Sequence, residues 1–210
     1  MTGGRKTVVG IIGGIGSGKS TVARQFQSLG ASLVEADEVG HEVLRLSEVK
    51  QEARERWGEG VFGPDGEIDR QRLAEIVFEP SPSGKRERAA LERLVHPLIG
   101  QRLRRRIEAL RQDPRVGVIV VDAAVLLEAG WHDAVDVLVF VEAPRADRLA
   151  RVREARHWDS NQLKSRELAQ KPLSWKRQRA DYVIGNSGSR EQTLQQVERI
   201  YTTLTQDLPA

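Results

Sequence analysis

The chain has 210 residues, 39% of them hydrophobic and 30% charged, which supplies one sizeable core and excludes a wholly disordered polypeptide. Cysteine is absent and the four histidines are scattered, which excludes a disulfide framework and gives no zinc-ligand spacing. The net charge is only +3, yet arginines cluster at Arg102, Arg104, Arg105, Arg106 and again at Arg145, Arg148, Arg151, Arg153, Arg156; without interleaved aromatic residues, these surfaces predict phosphates of small molecules as partners and no nucleic acid.

The first seven residues are basic, and the apolar run after them is too short and glycine-rich for a signal peptide or a membrane span. A cytosolic protein without a membrane partner is expected. That run, Val8 to Ile12, reads as a strand. Directly after it, Gly13-Gly14-Ile15-Gly16-Ser17-Gly18-Lys19-Ser20 fits G-x-x-x-x-G-K-[ST], a phosphate-binding loop whose glycines let backbone N–H groups surround phosphate oxygens. Lys19 then reaches the β/γ-phosphates and Ser20 offers a hydroxyl to Mg²⁺. Thr21-Val22-Ala23-Arg24-Gln25-Phe26 has helical spacing, so the loop opens onto a helix N-terminus whose dipole favours anions. Strand, loop and helix in this order predict binding of ATP or GTP.

Ala31 to Ala36 reads as a second strand ending at Asp37. Residues 39–112 are charged and helix-rich, with a turn at Gly63-Pro64-Asp65-Gly66 and a loop at Pro80-Ser81-Pro82-Ser83-Gly84; this is long for a crossover and predicts an inserted helical lobe. Val116 to Val121 is a continuous β-branched run closed by Asp122, the pattern of a parallel strand covered on both faces. Val135 to Val141 repeats it, and Tyr182-Val183-Ile184 gives one more short strand. Residues 145–179 form an arginine-rich helical segment broken at His157-Trp158-Asp159 and Lys171-Pro172-Leu173, which reads as a lid. Leu194, Val197, Ile200, Tyr201 and Leu204 mark an amphipathic terminal helix. The whole predicts an α/β fold: a P-loop NTPase with a doubly wound parallel sheet. One domain is expected, with its core in about 1–38, 113–144 and 180–210, the lobe in 39–112 and the lid in 145–179.

Asp37, at the carboxyl end of its strand, is placed where open α/β sheets bind ligands. A carboxylate there can accept the proton of an acceptor hydroxyl or hold a magnesium-bound water; the alternative is a cap on the next helix. Glu35, two residues earlier, shares its side of the strand on the alternation rule. Asp122 resembles a Walker B acid that holds Mg²⁺ beside Ser20, or is an ordinary strand-end acid. Glu128 either faces the same crevice or caps a helix. Pro97 suits a first helical position with His96 as its cap, and a contact from His96 to the acceptor is the other reading. A few lid arginines closing over the nucleotide stabilise charge on a transferring phosphoryl group; the rest lie on a solvated face.

No N-K-x-D guanine motif occurs, which disfavours a GTPase and leaves a small-molecule kinase. Here the sequence resembles a known family. Ile12 to Ser20 is similar to the Thr-Gly-Gly-Ile-Gly-Ser-Gly-Lys-Ser of dephospho-CoA kinases, and Glu35-Ala36-Asp37 resembles their Asp-Ala-Asp. Leu94-Val95-His96-Pro97-Leu98-Ile99 resembles Leu-x-His-Pro-x-Ile, and Ala124-Val125-Leu126-Leu127-Glu128 resembles Pro-Leu-Leu-x-Glu. Arg166 to Gln170 is similar to the lid pattern Arg-x-x-x-Gln, and Ala180 to Gly188 to Ala-Asp-x-Val-Ile-x-Asn-x-Gly. The departures are Glu35 for Asp, Ala124 for Pro, and Arg156-His157-Trp158 where the family has an arginine followed by small or polar residues.

The resemblance implies transfer of the γ-phosphate of ATP to the ribose 3′-hydroxyl of dephospho-CoA, the last step of coenzyme A synthesis. It implies Asp37 as base and Gly16, Ser17, Gly18, Lys19, Ser20 and Thr21 on the ATP phosphates. It further implies Asn186 near the adenine, the inserted lobe with His96 receiving the acceptor, and Arg156 as the lid clamp, with Arg151 or Arg153 as alternatives. Another nucleoside or nucleotide kinase, and a regulatory ATP-binding module without turnover, are the competing readings.

Overall fold

The computed structural model describes residues 6–206; of the basic N-terminal stretch, residues 1–5 lie outside them. In chain order the elements are β1 (Thr7–Gly13), α1 (Lys19–Ser28), β2 (Ser32–Glu35), α2 (Ala36–Leu44), α3 (Ser47–Trp57), α4 (Arg70–Val77), α5 (Pro82–Gln112) and β3 (Val118–Asp122). They continue with β4 (Val137–Glu142), α6 (Arg145–Arg156), α7 (Ser160–Glu167), α8 (Leu173–Arg177), β5 (Tyr182–Gly185) and α9 (Arg190–Gln206). No helix among the described residues is long and apolar enough to cross a membrane. The chain divides into two compact units, one holding the segments up to Ala36 and from Arg104 onward, the other Asp37–Leu103.

The first unit is an all-parallel sheet of order β2-β3-β1-β4-β5. β1 is central and buried from Val8 to Gly13, which explains its unbroken apolar sequence: a strand covered on both faces has no polar side to present. Val9, Ile11, Val118, Val120, Val139, Val141 and Ile184 pack against Val22, Ala23 and Phe26 of α1 and Val197, Ile200 and Leu204 of α9. The chain leaves β1 for β2 and β3 on one side and returns to β4 and β5 on the other, so the order reverses around β1. In such sheets ligands bind beyond the carboxyl ends of the strands at that reversal, and the glycine-rich loop lies there.

The second unit is helical and has its own local stops. Gly63 to Gly66 forms a hydrogen-bonded turn, Gly66 N to Gly63 O at 3.0 Å, and Asp69 caps α4 by accepting from the N–H groups of Gln71 and Arg72. Two expectations about this region are corrected. The loop expected at residues 80–84 is half helix: Ser81 Oγ accepts from Gly84 N at 3.0 Å and Pro82 opens α5. Pro97 lies inside α5 rather than at its start. Proline has no N–H to lose at a first helical position, and Pro82, not Pro97, is the residue that uses this.

Candidate active site

β1 ends in a loop that the chain could not trace with ordinary residues. Gly16 has φ +74°, and a Cβ there would stand 2.6 Å from Arg148 O; a side chain would carry both the left-handed penalty and a collision with backbone. Gly18, at φ +92°, starts α1 and brings no side-chain cap. No acidic residue lies in the first turn of α1, so the positive end of this helix is not neutralised there by the chain's own carboxylates. Lys19 Nζ donates to Gly14 O at 2.9 Å and Gly13 O at 3.4 Å, which draws the ammonium over the loop. Ser20 and Thr21 follow in the same turn with exposed side chains.

The loop is held from behind. Arg148 is 5% exposed; its guanidinium donates to Ile15 O at 3.3 Å and Ala143 O at 3.2 Å, and pairs with Glu167. Arg151 NH1 donates to Gly16 O at 3.3 Å and Ser17 O at 3.1 Å, while its NH2 donates to Asn186 O at 2.6 Å. Asn186 Nδ2 donates to Ser17 O at 2.7 Å. Val152 completes this face of α6 and is buried. Arg148, Arg151 and Val152, three and four residues apart, share one face of α6. Arg156 instead lies over the Trp158 ring at 4.8 Å, with Arg166 over the same ring at 4.1 Å. Burial and the charge of Arg156 lower the pKa of Arg166.

Asp122 is the last residue of β3 and stands in register with Ile11 of β1 and Glu35 of β2. This sets its backbone beside the strand that feeds the loop. Glu128 does not cap a helix: its Oε1 accepts from Lys176 Nζ at 2.7 Å and from Lys171 N at 2.9 Å. Gln170 joins them, its Oε1 taking a bond from Lys176 Nζ at 3.2 Å and its Nε2 donating to Ala124 O at 3.4 Å. The stretch after β3 is thereby fastened to the turn between α7 and α8. Lys176 was missed in the sequence because a lysine offers no sign that it is buried.

In the helical unit, Asp37 occupies the first turn of α2 and is exposed. The strand alternation expected to pair it with Glu35 does not reach it, since β2 ends at Glu35 and the helix begins at Ala36. His96 is on α5, where burial lowers its pKa against the opposing charge of Glu92 one turn earlier.

A family model described as dephospho-CoA kinase matches residues 7–192. A dephospho-CoA kinase of Syntrophotalea carbinolica is 38% identical over 94% of this chain and 92% of its own length. One from Bacillus licheniformis is 36% identical over 93% of this chain and 96% of its own. Among solved structures, the crystal structure of TT1252 from Thermus thermophilus superposes with a TM-score of 0.78 at 30% identity, covering 95% of this chain and 97% of that one. With a glycine-rich loop at the sheet's reversal point and a family match over residues 7–192, the chain belongs to the dephospho-CoA kinase family.

Proposed function

We propose that this kinase transfers the γ-phosphoryl group of ATP to the ribose 3′-hydroxyl of dephospho-CoA, giving coenzyme A and ADP, as a cytosolic enzyme acting on small molecules. The observation that carries the reading is the glycine loop joined to the positive end of α1, with Lys19 drawn over it, in a chain matched by the family model over residues 7–192. The loop N–H groups, Lys19 and the Ser20 and Thr21 end of α1 bind the ATP phosphates.

Asp37 accepts the proton of the 3′-hydroxyl as its oxygen bonds to the γ-phosphorus and the bond to the β,γ-bridging oxygen breaks, which leaves the electron pair on ADP. Lys19 stabilises charge on the transferring group. The helical unit with His96 receives the acceptor, and Arg156 closes over phosphate from the lid. The Lys176 pair supports a role for Glu128 in holding the end of that lid, and thereby the substrate crevice. The Ser20 hydroxyl and the Asp122 carboxylate are hard oxygen donors suited to Mg²⁺, which takes most of its ligands from phosphate and water. Among the described residues no group of three acidic or histidine side chains is assembled for a metal. When bound, Mg²⁺ neutralises charge on the β- and γ-phosphates.

The test is ADP release with ATP·Mg²⁺ and dephospho-CoA, with adenosine, AMP and no acceptor run in parallel. Turnover with dephospho-CoA alone, yielding coenzyme A by mass, is the expected result. Turnover with a nucleoside or nucleotide in its place overturns the acceptor, and release that ignores the acceptor overturns the transferase reading.

A further inference from the structure

The resemblance puts Asn186 near the adenine, yet its side chain is engaged elsewhere. Nδ2 donates to Ser17 O at 2.7 Å, and Oδ1 accepts from Thr193 Oγ1 at 3.1 Å. Thr193 is 1% exposed, and its one hydroxyl proton is shared between Asn186 Oδ1 and Ser189 O at 3.2 Å, so the amide oxygen meets a buried hydroxyl on the core side while the Ser17 carbonyl sets which end of the amide faces the loop. The Asn186 backbone is pinned as well: its N–H donates to Glu142 O at 2.8 Å and its carbonyl accepts from Arg151 NH2 at 2.6 Å. Arg151 NH1 then reaches Ser17 O at 3.1 Å and Gly16 O at 3.3 Å. Two consecutive carbonyls of the phosphate-binding loop are therefore gripped by one network rooted in α6, β5 and α9.

We propose that Asn186 and Arg151 are positioning residues for the phosphate-binding loop, setting its affinity for the polyphosphate chain whatever base is attached; this rests on the reading of residues 13–20 as a phosphate site. A trans peptide is planar, with its C=O and N–H pointing in opposite directions. Holding Ser17 O against Asn186 and Arg151 turns the Gly18 N–H to the opposite side, away from both. Holding Gly16 O against Arg151 turns the Ser17 N–H away from the guanidinium, onto the loop's own side, where it bonds Gly14 O at 3.2 Å. A hydrogen bond to a carbonyl also polarises its peptide and strengthens the N–H as a donor, more so when the partner is a cation. The same contact explains Gly18 independently of its φ: a Cβ at that position would overlap Asn186 Nδ2. The network and the glycine presuppose one another.

The experiment measures tripolyphosphate, which has neither base nor sugar, alongside ATP and GTP, by calorimetry with Mg²⁺ on the full chain. Asn186→Asp keeps the shape but replaces the donor with a charged acceptor facing Ser17 O. It is expected to weaken all three ligands by a common factor of about tenfold, of the order of losing one well-placed hydrogen bond to a fixed group. Thr193→Val, which removes the hydroxyl on the core side of the amide together with its contact to Ser189 O, is expected to weaken all three by a smaller common factor with the melting curve retained. It serves if the aspartate variant does not fold. Arg151→Lys, which retains one charged donor, should recover part of the affinity lost in Arg151→Gln. A loss confined to ATP, with tripolyphosphate unchanged, would make Asn186 a reader of the base and overturn the proposal. Wild-type protein that does not bind tripolyphosphate overturns it as well. Tripolyphosphate binding by a protein that fails to turn over dephospho-CoA would instead count against the proposed acceptor and leave this inference standing.

Discussion

Lys176 and Glu128, 48 positions apart in the chain, meet at 2.7 Å with their side chains 2% and 14% exposed. The carboxylate and Gln170 Oε1 give the buried Lys176 Nζ the hydrogen bonds that water would otherwise supply. Removing one partner leaves the other buried without its ion-pair partner. Lys176→Met is therefore expected to cost about 3 kcal/mol, the scale for breaking a buried pair. Lys176→Met combined with Glu128→Gln removes both charges, while the amide oxygen that replaces the carboxylate still accepts from the Lys171 N–H. The double variant should recover at least half of that loss in urea unfolding. Losses that simply add would show that the two groups do not act as a pair.

The legible part of this fold was the part encoded by local pattern. β1, β3 and β4 announced themselves as β-branched runs because both of their faces are buried, and the glycine loop because its chemistry demands a fixed spacing. The breaks at His157 to Asp159 and at Lys171 to Leu173 separate α6, α7 and α8 as the sequence suggests. What depended on long-range contact was not legible. Nothing in the residues around Pro97 shows that α5 continues through it, since that requires knowing what the helix packs on. The rule for a first-turn proline was sound and belonged to Pro82. Among five clustered arginines, charge alone could not separate Arg148 and Arg151, which grip the loop, from Arg156, which stacks on Trp158. Asp37 and Glu35 were paired by an alternation that stops two residues short of Asp37, because strand ends are set by sheet contacts absent from a single sequence.

His157 ends α6 at φ +56°, a left-handed conformation that is the only one of its kind outside glycine among the described residues. Its N–H donates to Arg153 O at 3.0 Å, so the strain closes the helix. His157→Gly is expected to raise stability by about 1 kcal/mol, the left-handed penalty for a residue with a Cβ, offset in part by unfolded-state entropy. Thermal unfolding of both proteins checks this; a destabilised glycine variant would show that the imidazole itself is required.

The same residue separates two segments with different attachments. α6 is fixed to the loop through Arg148, Arg151 and Val152, whereas α7 packs by its buried Leu163, takes a bond from Arg145 at Ser160 Oγ and pairs Glu167 with Arg148 and Arg145. If residues 145–179 work as a lid, the part that responds to substrates is α7. Hydrogen exchange with ATP and dephospho-CoA together should slow in Ser160–Glu167 and change little in α6. Unchanged exchange in α7, or equal slowing in both helices, would refute this division.

The lowered pKa of His96 has a definite sign in stability. In the folded protein burial keeps the imidazole neutral to a lower pH, whereas in the unfolded chain it gains its proton near pH 6.5. Between the lowered folded value and 6.5 the unfolded state binds more protons, so stability falls as pH drops through that window and is unaffected by this group above it. Urea midpoints of the wild type should decline more steeply from pH 7 to 5.5 than those of His96→Gln. Parallel slopes would show that another group titrates.

Asp37 carries the sharpest test of the proposed chemistry because its two readings diverge in one substitution. As a first-turn acid of α2 it contributes through the helix dipole, on the order of 0.3–1 kcal/mol, and asparagine is an acceptable residue at a helix start. As the base it must hold a negative oxygen to which the 3′-hydroxyl gives its proton, and asparagine has none. Asp37→Asn should therefore fold, bind ATP with nearly unchanged affinity and lose turnover by about 10²-fold or more, the usual scale for a positioned base. Because the substitution removes charge rather than volume, a loss in kcat with unchanged KM for both substrates locates the defect in the transfer step rather than in binding. Lys19→Ala is the opposing control: on the proposed reading its ammonium acts on the phosphates, so its removal should damage ATP binding itself. Near-normal turnover in Asp37→Asn, with only the small stability change expected of a helix-start residue, would return Asp37 to that structural role and require another proton acceptor.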